Sequence, residues 1–188
     1  MKNNKYRNGS FRLQSWDYRN DGAYFVTINA ANHKHFFGEI KNGTMHLNDI
    51  GKFAEEFWME IPNHFAHVQL ENFVVMPNHT HGILILKGCA GLSSSNDTNK
   101  QAEPKSKSKI RIGGKNENWN PGSVGVIINQ YKRIVTINAR KKNPSFGWQP
   151  KFNDHIIRNS ISFERIQNYI ENNPQKWEDD IFNGKRKR

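Results

Sequence analysis

With one cysteine in 188 residues, Cys89, the chain cannot form an internal disulfide. No apolar run approaches the ~20 residues a spanning helix requires. Its first residues, Met1-Lys2-Asn3-Asn4-Lys5, lack the apolar stretch of a secretion signal. These absences together lead us to expect a cytoplasmic protein without a membrane partner. Acidic side chains are also scarce, 17 against 28 lysines and arginines, which leaves a formal charge of +11. Such an excess is the electrostatic footprint of a nucleic-acid binder, because each phosphate contact releases condensed counterions. The length suits one domain spanning 1–188 rather than two, and no internal repeat is visible.

The stretch 24–29 reads as a first strand, rich in β-branched and aromatic residues. The dipeptide Asn42-Gly43 predicts a hairpin turn between 39–41 and 44–47. Ile50, Phe53, Ala54, Phe57, Trp58 and Ile61 recur at helical spacing, with Asn48 or Asp49 as N-cap. Two antiparallel strands are expected at 68–76 and 79–86, joined at Pro77-Asn78. From about 88 to 120 the chain is Ser-, Asn-, Lys- and Gly-rich, which suggests a flexible insertion.

A second helix is expected from 121 or 122 to 142, with Val124, Ile127, Ile128, Tyr131, Ile134 and Val135 on its apolar stripe. Lys132, Arg133, Arg140, Lys141 and Lys142 fall mostly off that stripe and are candidate phosphate contacts. A last strand at 152–157 precedes a helix over 163–173, with Ser162 as cap and Pro174 as terminator. The order strand, helix, strand, strand, helix, strand, helix predicts an α+β ferredoxin-like sandwich. Its antiparallel sheet carries helices on one face, and a C-terminal helix is added. A basic tail, 185–188, closes the chain.

His79 and His81 stand one residue apart on a predicted strand, so both rings point to the same face. They could grip one divalent ion, or form a hydrogen-bonded surface pair. His33 and His35 copy the spacing in a polar stretch, where a solvated loop is the reading. Tyr131 lies on an apolar stripe and reads as core. Tyr169 has Asn173 one helical turn on, so the two could offer a nucleophile and an oxygen ligand to one ion. A partly buried helix tyrosine followed by an ordinary asparagine is the alternative.

Three blocks bring these residues together: 74–82, which holds Pro77-Asn78-His79-Thr80-His81; 148–159, which opens on Trp148-Gln149-Pro150-Lys151; and 169–174, Tyr169 to Pro174. They resemble the signature blocks of the REP-associated tyrosine transposases, single-tyrosine members of the HUH nuclease superfamily. The resemblance implies that His79, His81 and Asn173 hold Mg²⁺ or Mn²⁺. It makes Tyr169 the nucleophile that becomes joined to a DNA 5′ phosphate. The implied substrate is single-stranded DNA bearing a hairpin, cleaved to leave a 3′ hydroxyl that can later rejoin strands. Trp148, Lys151 and Arg158 join the candidate DNA contacts, and Asp154 and His155 are candidates for supporting the site. A single chain is favoured over a homodimer. Two other functions stay open, a ferredoxin-like nucleic-acid module without chemistry and a metal-dependent hydrolase that activates water.

Overall fold

The computed structural model describes residues 16–88, 121–180 and 182–183. The insertion, apart from Gly88, and the basic tail lie outside them. Four strands build the main sheet: β1 (Gly22–Asn29), β4 (Val68–Met76), β5 (His79–Leu86) and β6 (Asn153–Ile157), in the order β4-β5-β1-β6. Every pairing is antiparallel, as a ferredoxin-like strand, helix, strand, strand, helix, strand path demands. Between β1 and β4 come a small hairpin, β2 (Gly38–Lys41) and β3 (Thr44–Leu47), then α1 (Asp49–Met59) and a single turn, α2 (Ile61–His64). The expected turn is present: Asn42 and Gly43 both take positive φ, at 52° and 72°, as a type I′ hairpin requires.

The helices follow the predicted periodicities with shifted starts. In α1, Ile50, Ala54 and Trp58 are buried at intervals of four, and the Asn48 side chain accepts from the N–H groups of Ile50 and Gly51. The helix α3 (Val124–Lys142) is capped by Ser123 and buries Val124, Ile127, Ile128, Tyr131, Val135 and Ala139. The last helix, α4 (Ser160–Glu171), begins three residues earlier than expected. Asn159, in extended conformation, is the cap, and its Oδ1 accepts from the Ser162 N–H at 2.8 Å. Ser162 is therefore the third residue of the helix. The helix ends at Glu171, so Asn173 lies in the turn that follows.

Strand alternation gives the sheet two different faces. Tyr24, Val26, Ile28, Leu84 and Leu86 pack with Trp58 of α1 and with Ile127, Ile128 and Tyr131 of α3 in the larger core. On the opposite face, Phe25, Ile83 and Ile157 meet Ile166 and Ile170 of α4 in a smaller one. Thus α1 and α3 share one face, and α4 is the added helix on the other. Gly82 joins this architecture to the histidine motif, since a Cβ there would lie 2.2 Å from Cζ2 of Trp58. Among the described residues, no helix is long and apolar enough to cross a membrane.

Candidate metal and nucleophile site

The β1–β5 register places Thr27 opposite His81 and Asn29 opposite His79, so the histidines emerge on the face that carries α4. Both are buried, and their ring centroids lie 4.4 Å apart. His79 Nδ1 is 2.8 Å from Asn78 Oδ1, and His81 Nδ1 is 2.9 Å from the Thr27 hydroxyl. In each ring the δ nitrogen is engaged and the ε nitrogen points inward. His79 Nε2 is buried without a hydrogen-bond partner, as is Asn173 Oδ1. Burial pushes the His79 imidazole well below its ordinary range, with nearby His81 and His33 adding to the effect. Burial also lowers His81, to about 3. Both rings are therefore neutral near pH 7, the form in which imidazole ligates a metal.

The residues after α4 complete the site. Asp180 brings a carboxylate so close that one ligand atom from each of His79, His81 and Asp180 lies within 4.8 Å of the others. Two imidazole nitrogens and a carboxylate, with an orphaned amide oxygen beside them, form a donor set suited to a divalent cation. An unsatisfied buried lone pair costs free energy, so such orphans require an explanation, and an ion supplies one. Sequence reading missed Asp180, which follows Glu178 and Asp179 in an acidic run with no ligand spacing to single it out.

Tyr169 projects from α4 into this cluster. Its hydroxyl lies 3.2 Å from His81 Nε2, and its ring stands edge-on to Phe25. Burial raises the phenol pKa, the Asp180 carboxylate raises it further, and Asn173 opposes both. Asp180 itself is raised, chiefly by burial. Tyr131 is elsewhere, within the larger core, where its hydroxyl donates to the Ala54 carbonyl at 3.0 Å.

The other predicted site residues are dispersed. His155 pairs with Phe25 across β1 and β6, so it shares the histidines' face, but it is exposed. Asp154 pairs with Val26 and points to the opposite face. The α3 cations belong to the layer on that opposite face. Lys132 donates to the carbonyls of Gln149 and Pro150, Arg140 to that of Phe146, and Lys141 to Asn138 Oδ1, while Lys142 pairs with Asp49. Arg133, Lys151 and Arg158 are exposed. Trp148 packs among Phe37, Tyr131 and Phe146 and donates to the Lys132 carbonyl.

The polar loop read as solvated is exposed yet borders the site. His33 stacks on Phe182, which lies 4.8 Å from the His79 ring, and His35 meets Trp177 edge-on. No spacing rule connects this loop to residues 177–182.

An α+β sandwich of this order is shared with a solved protein. A REP-associated tyrosine transposase bound to a REP hairpin overlays with a TM-score of 0.54. It is 17% identical, and the match covers 88% of this chain and 74% of that one. The chain therefore has the fold of that transposase. A candidate transposase from Deinococcus radiodurans overlays less well, with a TM-score of 0.44 at 11% identity over 86% of this chain and 95% of that one. By sequence, the chain belongs to the same family as a Haemophilus influenzae protein described as uncharacterized. The two are 36% identical over 176 residues, 91% of this chain and 90% of the relative. No family model matches the chain.

Proposed function

We propose that this protein is a metal-dependent single-stranded DNA endonuclease and strand transferase that cleaves near hairpins through a covalent 5′-phosphotyrosine. The observation that carries this reading is the 3.2 Å approach of the Tyr169 hydroxyl to His81 Nε2, beside the unpartnered His79 Nε2 and the Asp180 carboxylate. The three sequence blocks, the +11 charge and the fold shared with a hairpin-bound transposase support it. His79, His81 and Asp180 would hold Mg²⁺ or Mn²⁺, with Asn173 as a further oxygen ligand. The ion supplies positive charge that polarises the scissile phosphate.

Tyr169 is 41% exposed, so its hydroxyl can reach a strand laid across the mouth of the site. As its oxygen bonds to phosphorus the phenol gives up its proton. The 3′ oxygen leaves with the bonding pair and takes up a proton, which yields a 3′ hydroxyl and a 5′-phosphotyrosine. One phosphoester replaces another, so rejoining needs no nucleotide energy source. We take the site to be monomeric within a single domain, with Tyr169 reaching His81 of its own chain. The exposed cations Arg133, Lys151 and Arg158 are candidates to track the DNA backbone.

Labelled single-stranded hairpin DNA incubated with Mn²⁺ should yield a denaturation-resistant adduct. Tyr169→Phe and His81→Ala should abolish it, and Tyr131→Phe should not. Cleavage without an adduct would point instead to a hydrolase, and binding without cleavage to a non-catalytic module.

A further inference from the structure

Asn78 lies between β4 and β5, fully buried, and none of its side-chain hydrogen-bonding groups is spare. Its Nδ2 donates to the His33 carbonyl at 3.2 Å and to the Phe182 carbonyl at 2.7 Å. Both of those partners are acceptors only, so the orientation of the amide is fixed. Oδ1 must then face His79, and an oxygen 2.8 Å from Nδ1 accepts only if Nδ1 carries the proton. The ring is thereby left with a bare Nε2, the atom that is buried without a partner.

The same amide joins three separate segments. His33 ends a turn in which it and Asn32 both take positive φ, at 51° and 54°, a costly conformation for residues other than glycine. Phe182 follows Asp180 closely, and its own N–H donates to Asp180 Oδ1 at 2.7 Å. The placement of the carboxylate is therefore tied through Phe182 and Asn78 to the histidine it must meet.

We propose that Asn78 is a positioning residue that locks His79 as the Nδ1–H tautomer and couples that ring to the segment bearing Asp180. Its consequence for metal affinity rests on the site proposed above; the tautomer assignment does not. Without the Oδ1 acceptor the imidazole is free to carry its proton on Nε2, where it blocks ligation. Hydrogen-bond partners of this kind typically change metal affinity 10–100-fold.

The test uses long-range proton–nitrogen spectra of the metal-free full chain together with Mn²⁺ titration calorimetry. Wild type should show His79 protonated on Nδ1. Asn78→Ala should lose that signature and bind Mn²⁺ about 10–100-fold more weakly. Asn78→Asp keeps the acceptor but loses both Nδ2 donors, so it should retain the Nδ1 proton while the tie to Phe182 is lost. A wild-type spectrum with the proton on Nε2 overturns the proposal and requires no variant to fold. So does an Asn78→Ala chain whose tautomer and Mn²⁺ affinity are unchanged. Wild type with the Nδ1 proton and no Mn²⁺ binding would leave the tautomer lock standing and remove the metal site instead.

Discussion

Tyr169 and His81 are 88 residues apart in the chain, and their side chains meet at 3.2 Å. The phenol touches the very nitrogen through which His81 would hold an ion, and Asp180 raises the phenol's pKa from nearby. Replacing Asp180 by Asn should therefore lower the phenol pKa in metal-free protein, read by ultraviolet titration of Tyr169 against a Tyr169→Phe blank. The same change should weaken Mn²⁺ binding at least tenfold. An unchanged affinity would take Asp180 out of the ligand set and leave the oxygen role to Asn173.

Tyr131 provides the contrast. Its hydroxyl donates to the Ala54 carbonyl inside the core, so Tyr131→Phe removes that hydrogen bond, at a cost of about 0.5–1.5 kcal/mol. The melting temperature should fall while covalent adduct formation persists. Loss of the adduct in a folded Tyr131→Phe chain would give the tyrosine a chemical role it does not have here.

Gly82 tests how the site is coupled to the core. The Cβ of Gly82→Ala would lie 2.2 Å from Trp58, a rigid ring held between Phe73 and Tyr131. Overpacking of this kind costs about 1–3 kcal/mol, a fall of roughly 2–12 °C in Tm for a chain of this size. An unchanged melting curve would mean that Trp58 can move aside.

The buried histidines set a pH dependence. Folded His81 stays neutral down to about 3, against an ordinary value of 6.5. Between these limits the unfolded chain holds a proton that the folded chain refuses. The His81 contribution to stability is therefore complete above about pH 6.5 and is lost as pH drops toward 3, by at most about 1.4 kcal/mol per pH unit. Thermal melts in EDTA should show this decline, and it should be shallower in His81→Gln. Identical profiles for the two chains would mean that His81 protonates freely in the folded state.

Much of the fold is legible in local pattern. The strands at 68–76 and 79–86 match the sequence reading residue for residue, since short apolar runs and a tight Pro-Asn turn are local signals. The start of α4 was misplaced because Asn159 and Ser162 are both good caps, and composition alone does not say which one carries extended backbone. The reading of His33 and His35 as solvated missed their place at the mouth of the site, because the contacts that put them there come from residues 177 and 182.

By itself the sequence determined the strand and helix periods and the shared face of His79 and His81. These depend on spacings of two to four residues, which backbone geometry converts directly into direction. Tertiary structure alone decided that Asp180 joins the histidines, that Asn78 fixes the tautomer of His79, and that most α3 cations bond within the protein on the opposite layer. The contacts of Asp180 with the histidines and of Asn78 with Phe182 join segments distant in sequence, and the packing of α4 and the residues after it on the histidine face brings them within bonding distance.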